Sequence, residues 1–274
     1  MRGVPVLLAL GLTLAACSPS APESELLLAT TTSVRDSGLL DALLPEFSER
    51  TGVRVRTIAV GSGAALRMGE EGNADVLLTH APVREKELVA SGALASRREF
   101  MENHFVIAGP PEDPAEIRDA ASAADAYRLM QAVNAPYVSR ADDSGTHMRE
   151  RALLAAAGLG ENAAWEAVTR TGSGMGATLQ VAGERRAYVL SDLGTFLAFQ
   201  ERTGLDSLSG PDPELRNVYS VMHVSPELFP DRSSAESASA LESYFLEPAT
   251  QSAIARFGVE RFGQPLFRPL ILDD

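Results

Sequence analysis

The chain has 274 residues, 45% of them hydrophobic and 22% charged, the balance of a globular protein with room for one large or two medium domains. Its formal charge is −13 at pH 7, which argues against a nucleic-acid partner and against a broad electrostatic trap for anions. A local anion site stays open, because donors in contact with a ligand act well inside a screening length of about 8 Å.

The first residues read as an export signal. Arg2 supplies a short positive segment, residues 4–14 form an apolar run too short to span a bilayer comfortably, and Leu14-Ala15-Ala16-Cys17 resembles a bacterial lipobox. The pattern predicts a lipoprotein signal peptide over 1–16, cleavage before Cys17 and a lipid on its thiol. Cys17 is the single cysteine, so no internal disulfide can form. A plain secretory peptide with an incidental cysteine is the alternative. Cleavage would remove Arg2 and take the formal charge to −14. Residues 17–24, with Pro19 and Pro22, read as the lipidated cysteine and a tether from membrane to domain.

From there strands and helices alternate. An apolar run over 25–29 ends in Thr30-Thr31-Thr32-Ser33. Leu39, Leu40, Leu43, Leu44 and Phe47 fall at helical spacing over 36–50, where Pro45 is expected to kink or divide the helix and Gly52 to stop it. A strand over 53–60 passes through Gly61-Ser62-Gly63 into a helix over 64–71. That turn is too short for a dinucleotide fingerprint and lacks the lysine of a P-loop. A strand over 75–79, a helix over 82–92 and a strand over 103–108 follow. His80 and His104 have no second ligand at metal spacing and read as structural residues. Residues 109–114, with three prolines, suggest a crossover between lobes. The remaining prediction runs helix 121–134, strand 136–139, helix 146–157, helix 161–168 with Trp165 in the core, a glycine-rich turn 171–176 and a helix 177–184. Strand 187–190, helix 193–201, a polar stretch 204–216, strand 218–224 and helices 234–246 and 249–257 complete it, with 258–274 as a packed tail. This alternation is α/β, and an open sheet in each of two lobes fits the length better than a closed barrel.

The stretch Ser139–His147, S-R-A-D-D-S-G-T-H, has the makings of an anion clamp. Ser144 reads as an N-cap, and the first N–H groups of the helix it opens lack internal partners and carry roughly half a positive charge. Thr146 adds a second hydroxyl, and Gly145 would let a ligand approach the backbone. Arg140 adds a planar, permanently charged fork suited to oxyanions, which Asp142 can brace. An ordinary N-cap with a surface Asp/Arg pair is the competing reading. The threonine-rich corner and the Gly-Ser turn have bland readings too, as a strand end and a capped turn. Yet open α/β sheets bind ligands at the carboxyl ends of their strands, which is where these turns fall.

Taken together, these segments resemble the tungstate-binding proteins of bacterial ABC importers, the TupA type. The likeness runs over nearly all of the mature chain. It is densest in LATTTSVRDSGLLDALLPEF, AVGSGAAL, ADVLLTHAP, SRADDSGTH and GMGATL. Ala141 departs from the family's usual glycine between the arginine and the first aspartate, and Ser62 keeps the hydroxyl of the Val-Gly-x-Gly turn. The resemblance implies a two-lobed, type II periplasmic-binding-protein fold, with the oxyanion enclosed between lobes expected over 25–109 with 218–274 and over 110–217. It implies ligand residues at Thr31, Ser62, Arg140 and Thr146, with Thr32, Ser33, Ser144 and Gly145 as neighbouring donors and Asp142 behind Arg140. No cofactor is implied, and tungsten enters only as bound tungstate, with no protein-coordinated metal. The implied partners are tungstate or molybdate, an ABC permease with its ATPase subunits, and a membrane reached through the N-terminal lipid. The place is periplasmic or otherwise extracytoplasmic, and the chain is expected to be a monomer.

The donor chemistry agrees with that resemblance. Tungstate and molybdate carry no proton at neutral pH and only accept hydrogen bonds, so a selective site offers hydroxyls, backbone N–H groups and one arginine. Phosphate keeps a proton and calls for an acceptor. A lone pair left facing a dianion would cost roughly 1–3 kcal/mol. This favours a fully ionised oxyanion but does not separate tungstate from molybdate or sulfate. A phosphate or sulfate receptor is one alternative. A hydrolase built on Ser144, His147 and an aspartate is another, although no Gly-x-Ser-x-Gly elbow is present.

Overall fold

The structure is a computed structural model that describes residues 25–160, 165–230, 232 and 235–271. The expected signal peptide, Cys17 and the tether lie outside the described residues. β1 (Glu25–Thr31), β2 (Arg54–Val60) and β3 (Val76–Thr79) run parallel in the order β2-β1-β3. Helices α1 (Thr32–Ser37), α2 (Leu39–Thr51) and α3 (Ser62–Glu70) connect them, and α4 (Pro82–Ala90) follows. A second parallel set comprises β5 (Tyr137–Ser139), β6 (Val168–Arg170) and β7 (Tyr188–Asp192). It alternates with α5 (Ala123–Ala132), α6 (Gly145–Ala156), α7 (Met175–Arg185) and α8 (Leu193–Thr203).

Two long strands join the sets. β4 (Arg98–Gly109) pairs through residues 98–104 with β9 (Arg216–His223), and through residues 105–108 with β7. β9 in turn pairs antiparallel with β3. The short β8 (Asp206–Ser207) pairs with the far end of β4. The helices α9 (Ala235–Leu246), α10 (Pro248–Arg256) and α11 (Val259–Phe262) and the short β10 (Arg268–Pro269), which pairs with the near half of β4, return to the first set. The strand directions then fix where ligands can meet. β3 and β4 are both antiparallel to β9, so the first set runs with β4 toward its middle. β7 opposes β4, so the second set runs back toward the same middle. The carboxyl ends of both parallel sets therefore face each other at the point where β4 passes from one sheet to the other.

Each half has its own core. Leu26, Leu28, Phe47, Phe100, Tyr244 and Phe245 anchor one, and Phe105, Tyr127, Met130, Tyr137, Trp165 and Tyr188 the other. Three expectations need correction. The helix expected over 36–50 is divided at Gly38, which takes φ 81° and returns its N–H to Arg35 at 3.0 Å, and not at Pro45, which lies inside α2. Five buried side chains on α2, each worth about 1.5–3 kcal/mol, outweigh the roughly 3 kcal/mol cost of an internal proline. The helix expected over 161–168 does not extend through its described part: Trp165 is irregular, residues 166–167 are turn, and Val168 enters β6, which pairs with β5. Trp165 is in the core as expected, and its ring N–H donates to Ala135 at 2.8 Å. Finally, β4 begins at Arg98, five residues before its expected start. Its charged first half hid it, because the buried Glu102 is neutralised only by residues distant in sequence, Arg216 and Arg268.

Candidate functional site

Every predicted donor lies at a strand-to-helix junction facing the middle. Thr31 ends β1 and caps α1, its hydroxyl accepting from Val34 N–H and lying 3.1 Å from the Ser33 hydroxyl. Thr30, by contrast, is committed, donating to the Leu78 carbonyl at 3.1 Å. Thr32 and Ser33 open α1 and are half-buried. Ser62 opens α3, is 1% exposed, and its hydroxyl has no hydrogen-bond partner among the described residues. From the other half, β5 delivers Arg140, which is 5% exposed. One of its NH2 groups donates to Asp142 at 2.5 Å, the other sits 3.4 Å from the Thr146 hydroxyl, and its Nε–H has no partner. Asp142 also accepts from Ser144 N–H at 3.2 Å, and Ser144 caps α6 by accepting from His147 N–H. The brace expected of Asp142 is therefore in place, and Asp142 has no oxygen left over for a ligand.

Of the helices that open at these strand ends, α1, α3, α6 and α7 have no acidic residue in their first turns, whereas α4, which follows β3, has Glu85 there, engaged by the Thr79 hydroxyl and Ala81 N–H. An acidic first turn is the usual partner of a helix amino end, so the four inward ends keep their positive potential for something else. The third junction, Thr171 to Gly174, folds back onto the clamp: Thr171 and Gly172 donate their N–H groups to Ser139 and Arg140.

Sequence reasoning missed four residues. Asp192 ends β7 beside Phe105, is 3% exposed, and is occupied by the N–H and hydroxyl of Thr195 at 2.9 and 2.8 Å. Burial pushes its carboxyl above the ordinary range, opposed by the Thr195 bonds and the nearby Arg140 charge. Its place at a strand's carboxyl end was the available signal. Tyr219 on β9 is buried, shares a hydrogen bond with Ser33, and accepts from Asn217, whose amide also donates to Asn103 at 2.8 Å. His80, read as structural, packs its ring 4.9 Å from that of Tyr219 at a 45° tilt, with Asn217 beside it. Burial, with Arg140 and Arg149 nearby, pushes its imidazole down to about 4, so it is neutral at pH 7 although half-buried. The same ring fills the space where a Gly145 side chain would be. A continuous polar layer thus runs from Ser33 through Tyr219, Asn217 and His80 to Gly145 and the clamp. A cavity of about 450 Å³ flanks α6 elsewhere, lined by Tyr137, Glu150, Arg170 and neighbours, and none of Thr31, Ser62, Arg140, Ser144 and Thr146 lines it.

His147 does not face Ser144 as a base. Its ring nitrogen accepts from Asp143 N–H at 3.1 Å, while the Ser144 hydroxyl is taken up by the cap. His104 is exposed.

Two α/β halves with facing carboxyl strand ends, joined through β4 and β9, are the build of a periplasmic-binding-protein domain. The model of the PBP superfamily domain matches residues 16–248. A tungstate-binding protein TupA of Peptoclostridium acidaminophilum is 40% identical, over 96% of this chain and 95% of that protein. The solved tungstate-binding protein TupA from Desulfovibrio alaskensis G20 superposes with a TM-score of 0.78 at 38% identity, covering 91% of this chain and all of the other. The tungstate ABC transporter structure from Geobacter sulfurreducens does so with 0.77 at 41%, covering 86% and 99%. The chain belongs to the TupA family within the PBP superfamily.

Proposed function

We propose that this protein is an extracytoplasmic solute receptor that binds a tetrahedral oxyanion, tungstate before others, and delivers it to an ABC permease. The observation that carries this reading is the pair of orphaned donors, the Ser62 hydroxyl and the Arg140 Nε–H. They are buried, on opposite halves of the molecule and without partners among the described residues, and Asp142 and Asp192 are already engaged. A buried donor left unmade costs about 1–3 kcal/mol, and an anion that only accepts would satisfy both at once. Thr31, Thr32, Ser33, Ser144, Thr146 and the amino end of α6 complete the donor set. No step of this activity calls for catalysis.

Two lobes, 25–109 with 218–274 and 110–217, would close on the ligand about β4 and β9, and the permease would read the closed form. The names of its relatives make tungstate the first ligand to test, and the donor set explains why phosphate should lose. Lipidation at Cys17 would hold the receptor at the membrane as a monomer.

Calorimetric titration with tungstate, molybdate, sulfate and phosphate tests the reading. Tungstate and molybdate should bind, phosphate about 5- to 150-fold more weakly for want of an acceptor. Arg140→Ala should abolish measurable tungstate binding, since it removes a buried charge-assisted donor set. Binding of phosphate as tight as tungstate, or an unchanged affinity in the variant, would overturn it.

A further inference from the structure

We infer that His80 is a positioning residue for cleft closure, a neutral wedge carried by the first half that seats against Gly145 at the amino end of α6 and so sets how the clamp meets the ligand. This rests on the receptor reading above. Three observations carry it. A Cβ built on Gly145 would stand 2.8 Å from both ring nitrogens of His80 and nearer still to Cε1, so only glycine admits the ring. Gly145 is the first residue of α6 and does not appear among the positive-φ glycines, so its backbone does not itself demand glycine. The partner of this glycine is a residue that follows β3, whereas the glycine follows β5, so the two come from different parallel sets of strands.

The hydrogen bonds around His80 separate a wedge from a ligand. Both amide hydrogens of Asn217 are used, on Asn103 and on Tyr219, so toward the imidazole beside it Asn217 can act only as an acceptor. A neutral imidazole has one N–H, so with that proton given to Asn217 the other nitrogen offers only a lone pair, which a dianion cannot use. Asn103 and Asn217 are directly opposed on β4 and β9, one position from the point where β4 changes sheets. His80 is therefore held by the strands that would bend and aimed at the helix that carries the donors. Arg140 and Arg149 are the charged groups facing it, and they keep the ring uncharged beside the clamp's own cation.

A double-mutant cycle tests this on the full protein, with tungstate as the probe. Gly145→Ala should weaken tungstate binding about 30-fold, the size of a one-methyl overpacking. His80→Ala should weaken it about 10-fold and reduce the ligand-induced fall in radius of gyration measured by X-ray scattering. The double variant should be no worse than His80→Ala alone, because the methyl then has room. If Gly145→Ala does not fold, recovery of folding in the double variant, read by circular dichroism, carries the same conclusion, and failure to recover refutes it. A penalty for Gly145→Ala that persists without His80 would assign the glycine to ligand approach and overturn the wedge. So would wild-type affinity and compaction in His80→Ala. Failure of the unmodified protein to bind tungstate would instead strike the receptor reading.

Discussion

Glu150→Gln should stabilise the protein at alkaline pH and leave it unchanged in acid. Glu150 lies on α6, one turn after Thr146, and is only 5% exposed. Burial pushes its carboxyl up from 4.5 to about 7, against the opposing pull of hydrogen bonds from Ser139 and Tyr137 and the charge of Arg170. A carboxyl whose folded value lies above its unfolded one favours the folded state while it holds its proton. That contribution is complete below about pH 4.5 and is lost as the pH rises through about 7. The loss is about 2.5 pH units at about 1.4 kcal/mol each, or roughly 3 kcal/mol. Glutamine keeps the shape and never ionises. The stability difference between variant and wild type should therefore grow from near zero at pH 4.5 to about 2–3 kcal/mol at pH 8. Urea unfolding at both pH values reads it, followed by circular dichroism and by the fluorescence of Trp165, whose ring lies 5.1 Å from that of Tyr137. His80 acts with the opposite sign, since its depressed value makes the fold weaken as the pH falls from 6.5 toward 4, but it is common to both proteins and cancels. A difference that stays the same from pH 4.5 to pH 8 would refute the argument that Glu150 is held neutral by burial.

Two further substitutions test the site from the side of stability and of binding. Ala141 holds φ 47°, a left-handed conformation that costs an L-residue about 1–2 kcal/mol, so Ala141→Gly should raise the unfolding free energy by about 1 kcal/mol in denaturant titration. An unchanged or lowered midpoint would count against strain there. Ser62→Ala removes a buried hydroxyl that has no protein partner, so it should leave the melting temperature of the ligand-free protein unchanged or slightly raised while weakening tungstate binding about tenfold. A loss of ligand-free stability with affinity intact would place that hydroxyl outside the site.

The order of strands and helices was legible in the sequence because each element carries its own periodicity and its own punctuation. Leu39 to Phe47 mark one face of a helix, Gly52 ends it, and Ser144 announces the start of α6 in advance of any tertiary contact. The clamp was legible for the same reason: Arg140, Asp142, Ser144 and Thr146 lie within seven residues and interact locally. The resemblance to the TupA family supplied the expectation for the other half, since nothing local in Thr30–Ser33 or Gly61–Gly63 links these turns to Arg140.

The tertiary structure alone decided what depends on distant partners. Glu102 reads as a surface residue until Arg216 arrives to neutralise it, and with it the first half of β4 is hidden. Asp192, Tyr219 and Asn217 have no motif around them, and they come to the middle of the molecule because β4 pairs with β9 along one half and β7 along the other. The contact of Gly145 with the His80 ring was not legible either, since that ring comes from 65 residues earlier in the chain. Local hydrogen-bonding and periodicity are written along the chain. The pairing of buried charges and the close approach of two halves are fixed only when burial forces each group to find a partner.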